Sequence, residues 1–346
     1  MASDRVTIRA PGRVNLIGEH TDYNDGLCLP FAIERGITVS ALRHSDARIE
    51  VEAVDVGEQD SFALEEIGGA AGWRAFARGI AAELLAAGHD LPGARVRVES
   101  DLPSGSGLSS SAALEAGLAL ALLALSGDAE PDRVELAKLC SRVENEWVGA
   151  QTGLLDQLAV LLGAEGRALR LDLRSLDVRE IPLELGPGWT LVTVDSGAAH
   201  DHATGGYNER RAECAAACER LGIVSLRDAT LEAAAELPDP LARRVRHVLS
   251  ENARVEATVA ALAAGDLARV GALLDASHAS LRDDYDASVA AVERTAAALR
   301  EAGAAGARMV GGGFGGSVLA LFGPGGRPPA DALEVRPGPA ARRIDG

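Results

Sequence analysis

The spacing of apolar and polar positions divides the chain into a strand-rich first half and a largely helical second half. Residues 6–8 read as a short strand that stops at Ala10-Pro11-Gly12, a turn by its composition. Residues 27–33 and 36–42 are apolar and β-branched, while residues 48–54 and 94–99 alternate polar with apolar, as half-exposed strands do. Residues 73–87 predict a helix that Gly88 closes. A Gly/Ser loop then feeds a helix from Ser111 to about Leu125, and residues 131–149 predict another, with Pro131 near its first turn. Residues 168–173 and 189–195 read as strands, and residues 207–221, 239–264, 267–277 and 288–302 as helices. The pattern closes on strands at 308–310 and 317–322, either side of six residues of which five are glycine. The tail from Gly323, rich in Pro, Gly and Arg, is either loose or holds one short strand. No internal repeat and no long linker interrupts this order. The natural boundary is Gly186-Pro187-Gly188, which predicts domains at residues 1–187 and 188–346.

Composition sharpens the picture in three places. A length of 346 residues suggests two domains sharing one cleft, and with 47% hydrophobic but only 3% aromatic residues the cores must be built from Ala, Leu and Val. The formal net charge of −17 speaks against nucleic acid or an anionic membrane as a partner, since both are bound through clustered Lys and Arg. It also means that any triphosphate site must create a local positive field against the global one. Residues 1–10 carry charges and run straight into a strand, unlike a secretory signal. The longest apolar stretch, residues 116–125, is half of the roughly 20 residues that a membrane span needs. Cys28, Cys140, Cys214 and Cys218 form no C-x-x-C pair, and the last two lie one helical turn apart, a poor placement for a disulfide. Reduced thiols and a cytoplasmic location are expected.

Three Gly-marked segments carry candidate chemistry. Leu102-Pro103-Ser104-Gly105-Ser106-Gly107-Leu108-Ser109-Ser110-Ser111 lies between a strand and a helix. Glycines admit a ligand to the backbone, and the helix start offers unpaired N–H groups and the positive end of a dipole, so phosphates can be held here. No Lys follows the second Gly as in a Walker A loop, and no third Gly completes a dinucleotide fingerprint. The segment can equally be a flexible turn with good helix capping. Glu19-His20-Thr21-Asp22-Tyr23-Asn24-Asp25 is an unbroken polar or aromatic run between two apolar strands. A polyhydroxylated ligand wants such carboxylates, each able to accept two hydroxyl protons, though a solvated turn has the same composition. Gly311-Gly312-Gly313-Phe314-Gly315-Gly316 brings backbone close to a ligand or another loop, or forms a plain hairpin.

In this order the segments resemble the GHMP small-molecule kinases. Gly12-Arg13-Val14-Asn15-Leu16-Ile17-Gly18-Glu19-His20-Thr21-Asp22-Tyr23-Asn24 is similar, residue after residue, to the signature of the galactose-phosphorylating branch. Gly153-Leu154-Leu155-Asp156-Gln157, Tyr207-Asn208-Glu209-Arg210-Arg211 and Ser280-Leu281-Arg282-Asp283-Asp284-Tyr285 continue the likeness over residues 9–322. It implies an α+β, two-domain GHMP kinase fold, with an N-terminal domain like ribosomal protein S5 domain 2 and a C-terminal ferredoxin-like domain. It further implies ATP-dependent phosphorylation of the anomeric hydroxyl of galactose, a magnesium cofactor and a monomeric enzyme whose partners are sugar and ATP. Carried over by position, Asp156 matches the catalytic aspartate and Arg13 the arginine beside it. Glu19, His20, Asp22, Gly153 and Tyr207 match sugar contacts. Gly105, Ser106, Gly107, Leu108, Ser109, Ser110 and Ser111 match the phosphate cradle, Trp73 the adenine contact, and Ser111 with Glu144 the magnesium ligands.

Departures and rivals follow from the same residues. Ser104 stands where the branch carries Gly, and Gly205-Gly206 predict a looser loop before Tyr207. Glu144, near Arg142 and Glu146, otherwise belongs on a solvated helix face; Trp73 otherwise belongs in the core. His200 and His202 around Asp201 have the look of metal ligands, but such loop pairs are usually incidental. A sister kinase for arabinose, an amino sugar or a longer sugar differs by only one or two hydroxyl contacts. A non-catalytic sugar and ATP sensor is disfavoured by the retention of Arg13, Asp156 and Ser109-Ser110-Ser111.

Overall fold

The computed structural model describes residues 4–103, 105–128, 130–198 and 203–345, so Ser104 and the His200-Asp201-His202 run lie outside the described residues. Strand β1 (Arg5–Asn15) is longer than its apolar core suggested, because it continues through Ala10-Pro11-Gly12 instead of turning there. Its antiparallel pairing with the 15-residue β3 (Pro30–His44) shifts register between Pro11 and Arg13. Proline has no N–H for the ladder and sits at this bulge, while Arg13 N donates to Leu108 O at 3.0 Å. Turn composition here marked a kink in a strand.

Around this pair grows a six-stranded sheet with β5 (Glu58–Ala63) at one edge and β13 (Arg342–Arg343) at the other, ordered β13-β1-β3-β6-β4-β5, in which only β4 (Arg48–Ala53) and β6 (Gly93–Ser100) run parallel. Edge strand β5 is missed by hydrophobic pattern because Phe62 is its one side chain in the core cluster. One face of the sheet is covered by α1 (Trp73–Ala86), α2 (Ser110–Ser126), α3 (Arg133–Arg142) and α4 (Leu155–Leu162). Helix α2 contains the apolar run 116–125. Every residue from Ala112 to Leu125 is buried and all but Glu115 are apolar or glycine, so this helix is the central rod of the core; Glu115 accepts from Gln157 Nε2 at 3.1 Å.

The predicted helix over 131–149 is two elements: α3 ends at Arg142, and residues 143–148 continue as a π-helix. Such wider π turns are frequent at functional sites, and this one carries Glu144. A small sheet of β2 (Leu27–Cys28), β7 (Arg167–Asp172) and the exposed, polar β8 (Asp177–Pro182) follows.

The second half forms an antiparallel sheet, β10-β11-β9-β12, from β9 (Thr190–Asp195), β10 (Ala304–Met309), β11 (Ser317–Phe322) and β12 (Leu333–Glu334). Helices α8 (Leu267–Asp283) and α9 (Ala290–Glu301) pack on β10, and α5 (Ala203–Leu221) and α6 (Leu231–Ala235) pack on α7 (Leu241–Ala263). Helix α8 runs six residues past the predicted end at 277, because Leu281 continues its buried stripe. The tail holds two short strands instead of one. After β12, Gly338 N donates to Ala32 O (2.8 Å) and Ala341 N to Val160 O (2.8 Å), and β13 (Arg342–Arg343) pairs with β1. It thus crosses from one large sheet to the other. Among the described residues no helix is long and apolar enough to cross a membrane, and the cysteines are free thiols.

Candidate active site

The bulge in β1 and the first turn of α4 bring together two residues 143 positions apart. Arg13 Nε donates to Asp156 Oδ1 at 2.6 Å and Nη2 to Oδ2 at 2.7 Å, a bidentate fork, while Nη1 holds Gly107 O at 2.6 Å. Asp156 lies in the first helical turn, where the dipole favours a negative charge. Ser109 Oγ also donates to Asp156 Oδ2. Burial works against the charge on Arg13, but Asp156, Glu19 and Asp22 outweigh it and raise its pKa above the ordinary arginine value. Paired with Asp156 and flanked by Glu19 and Asp22, Arg13 leaves no net positive charge in the cleft, so the positive field for a phosphate falls to the helix start at Ser110.

A cavity of about 180 Å³ opens beside the pair, lined among others by Glu19, His20, Asp22, Gly153, Tyr207, Asn208 and Gly311 to Gly313. All the sequence-predicted sugar residues meet here. Gly153 is required by space: a Cβ on it would lie 1.9 Å from Asp22 Oδ2. Burial, and then the charge of Asp156, push the Asp22 carboxyl up to about 7. His20 is a buried hydrogen-bonder. Its Nε2 meets Gly312 O at 3.1 Å and therefore carries the proton, leaving Nδ1 to accept from the Tyr23 hydroxyl at 2.8 Å. Burial, then His247, lower its pKa to about 3. Asn208 keeps a buried carbonyl oxygen with no hydrogen-bond partner among the described residues, an acceptor available to a ligand hydroxyl.

Gly205 and Gly206 do not loosen the approach to Tyr207, as their composition suggested. Both lie in the opening turns of α5, and a Cβ on Gly206 would stand 2.6 Å from the Phe314 ring. The glycine there admits an aromatic side chain from the Gly-rich loop.

A second groove of about 600 Å³ runs along the other side of the Ser/Gly loop, lined by Gly105, Ser110, Ser111, Trp73, Phe76 and Val54. Trp73 packs partly against the core and also forms one wall of this groove, with Nε1 donating to Glu58 at 2.7 Å. Glu144 is not on a solvated face. The π turn buries it to 7% exposure, where Thr152 Oγ1 (2.7 Å) and Gln157 Nε2 (2.8 Å) donate to its Oε2. Burial, with Asp156 adding to it, raises its pKa, and the Ser111 hydroxyl lies close enough to lower it slightly. Among the described residues no Lys or Arg pairs with Glu144. A buried carboxylate beside a hydroxyl, short of positive charge, is a donor set that fits a hard divalent cation such as magnesium.

Sequence reading missed the supports behind the sugar loop. Arg308, fully buried, holds Asn15 O (2.8 Å), Leu16 O (3.0 Å) and Glu19 Oε1 (3.2 Å). Gly311 N donates to Glu19 Oε1 (2.8 Å), and His247 Nε2 to Glu19 O (3.0 Å). Glu251 accepts from Gly18 N at 3.0 Å, and its carboxyl is held down to about 2 despite burial by Arg254, His247 and Arg308. One signal was available: an arginine inside the apolar run Ala307-Arg308-Met309-Val310 must be paired to be buried.

A glycine-serine loop opening a buried helix, with an arginine–aspartate pair between it and a polar cleft, defines a small-molecule kinase of the GHMP class. Comparison with known proteins agrees and goes further. Residues 2–43 match the galactokinase galactose-binding signature, residues 75–164 the GHMP kinases N-terminal domain, and residues 258–336 the GHMP kinases C-terminal family. The chain is 44% identical over 334 residues to the galactokinase of Roseiflexus sp. (strain RS-1), covering 91% of this chain and 83% of that one. It is 45% identical over 324 residues to the galactokinase of Mycobacterium bovis, covering 91% and 88%. The structure of Lactococcus lactis galactokinase complexed with galactose superposes with a TM-score of 0.91 at 31% identity, covering 99% of this chain and 96% of that one. The chain belongs to the galactokinase family.

Proposed function

We propose that the enzyme moves the γ-phosphoryl group of ATP onto the anomeric hydroxyl of galactose, giving galactose 1-phosphate and ADP. The observation that carries the reading is the Arg13–Asp156 pair, which stands between the polar cleft and the loop that feeds α2. Glu19, His20, Asp22, Gly153 and Tyr207 surround the sugar, with Asn208 as a further acceptor. Residues 105–111 cradle the phosphates on backbone N–H groups and on the serine hydroxyls other than that of Ser109, which Asp156 holds, and Trp73 walls the adenine side.

The bond from the anomeric oxygen to the γ-phosphorus forms as the bond to the β–γ bridging oxygen breaks. The anomeric proton passes to Asp156, and Arg13 stabilises the charge that develops on the attacking oxygen. Ser111 and Glu144 would hold magnesium, which when bound neutralises charge between the β- and γ-phosphates. The enzyme is proposed to act as a monomer on sugar and ATP. Residues 1–187 form the unit that carries sugar loop, phosphate loop and Asp156; residues 188–346 form the unit that braces it.

ADP release with galactose and with its C4 epimer glucose tests the reading. Galactose should give a kcat/KM at least about tenfold higher, because one misplaced hydroxyl leaves buried polar groups unmatched. Equal use of glucose, or a preference for arabinose or an amino sugar, would move the enzyme to a sister specificity.

A further inference from the structure

Ser109 occupies the residue before α2 that ordinarily caps the helix, and its side chain caps nothing. Its backbone stands at φ +59°, ψ 51°, the left-handed region that a serine enters only against steric repulsion. Its hydroxyl, on a residue only 7% exposed, crosses instead to Asp156 Oδ2. The residue therefore gives up a capping bond and accepts a strained backbone, and the contact it makes in return is to the carboxylate at the centre of the site.

We infer that Ser109 is a positioning residue for Asp156, beyond its place in the phosphate loop. A carboxylate offers about four acceptor sites, two on each oxygen. Arg13 takes one on Oδ1 through Nε and one on Oδ2 through Nη2; Ser109 takes the second on Oδ2. One site is left, on Oδ1, and that is where the acceptor proton arrives. Arg13 fixes the plane of the carboxylate, and Ser109 prevents Oδ2 from competing for the hydroxyl. The donor belongs to the loop that receives the phosphates, so ordering that loop also orders the carboxylate. This inference rests on the reading of Asp156 as the group that takes the anomeric proton.

Two variants of the full chain test it. Ser109→Gly removes the hydroxyl and relieves the left-handed strain; Ser109→Ala removes the hydroxyl alone. Each should lower kcat about 10- to 100-fold, the range for a hydrogen bond to a charged group. KM for ATP should stay within about threefold, and Ser109→Gly should melt at or above the wild-type temperature. A stable protein with slow turnover is what a purely structural serine would not give. Wild-type kcat within twofold in both variants would overturn the inference, as would a loss confined to KM for ATP, or a loss of kcat matched in both by a lower melting temperature. Asp156→Asn is the separate control: if it turned over near the wild-type rate, the reading of Asp156 itself would fall, whatever Ser109 does.

Discussion

At the scale of single residues, charge is concentrated where the chain is least able to solvate it. Asp22, Asp156 and Glu19 share one cleft with a single guanidinium, Arg13, among the residues that line it. The consequence falls on Asp22, whose carboxyl pKa rises to about 7, chiefly through burial and then Asp156. Unfolded, it titrates near about 3.9. Between these values the folded state holds a proton that the unfolded state has lost, so stability falls as pH rises through the interval and the full cost is present above it. Asp22→Asn removes that cost. Its melting temperature without ligands should gain on the wild type steadily from pH 4 to pH 8 in scanning calorimetry. A constant difference across the range would show that Asp22 does not titrate there.

At the scale of elements, the local turn type decides what a side chain can reach. Glu144 would project from an uninterrupted α3 as one more polar residue near Arg142 and Glu146. The π turn over residues 143–148 carries it inward, to Thr152, Gln157 and the Ser111 hydroxyl. Hydrophobic periodicity could not register this, because a single wide turn leaves the flanking pattern nearly intact. Glu144→Gln keeps the shape and removes the charge. The magnesium concentration for half-maximal rate should rise at least about tenfold, equivalent to one charge-assisted contact, while KM for galactose changes little. Titration of magnesium at saturating ATP and galactose checks it; an unchanged midpoint would exclude Glu144 as a ligand.

At the scale of the whole molecule, the second half acts as a brace for a site built mainly from the first. Arg308 on β10, His247 and Glu251 on α7 and the backbone of Gly311 all hold the 15–20 loop from behind. Arg308→Met would leave Glu19 without its buried counter-charge and two backbone carbonyls without their donor. Breaking one side of a buried pair costs roughly 3–5 kcal/mol, and the loop that would shift is the sugar loop. Chemical denaturation should report a loss in that range, and any folded fraction should show KM for galactose raised more than KM for ATP. Equal effects on both substrates would indicate that the brace does not act through the loop.

The sequence by itself determined the inventory. Apolar spacing marked most of the strands and long helices, Gly/Ser composition marked the phosphate-type loop, and the run Arg13 to Asn24 marked the sugar loop, because each of these is a property of neighbours along the chain. Edge strands β5 and β8 escaped, since polar edges carry little pattern, and Ala10-Pro11-Gly12 misled because proline suits a bulge as well as a turn. Tertiary structure alone decided two contacts, Ser109 turned from its helix to Asp156 and Arg308 behind Glu19; for Arg13 with Asp156 and Glu144 near Ser111, which the resemblance to the family implied, it decided the geometry. These join residues tens to hundreds of positions apart, and which of them meet depends on sheet register and helix packing. A sequence states such distances only after it has folded.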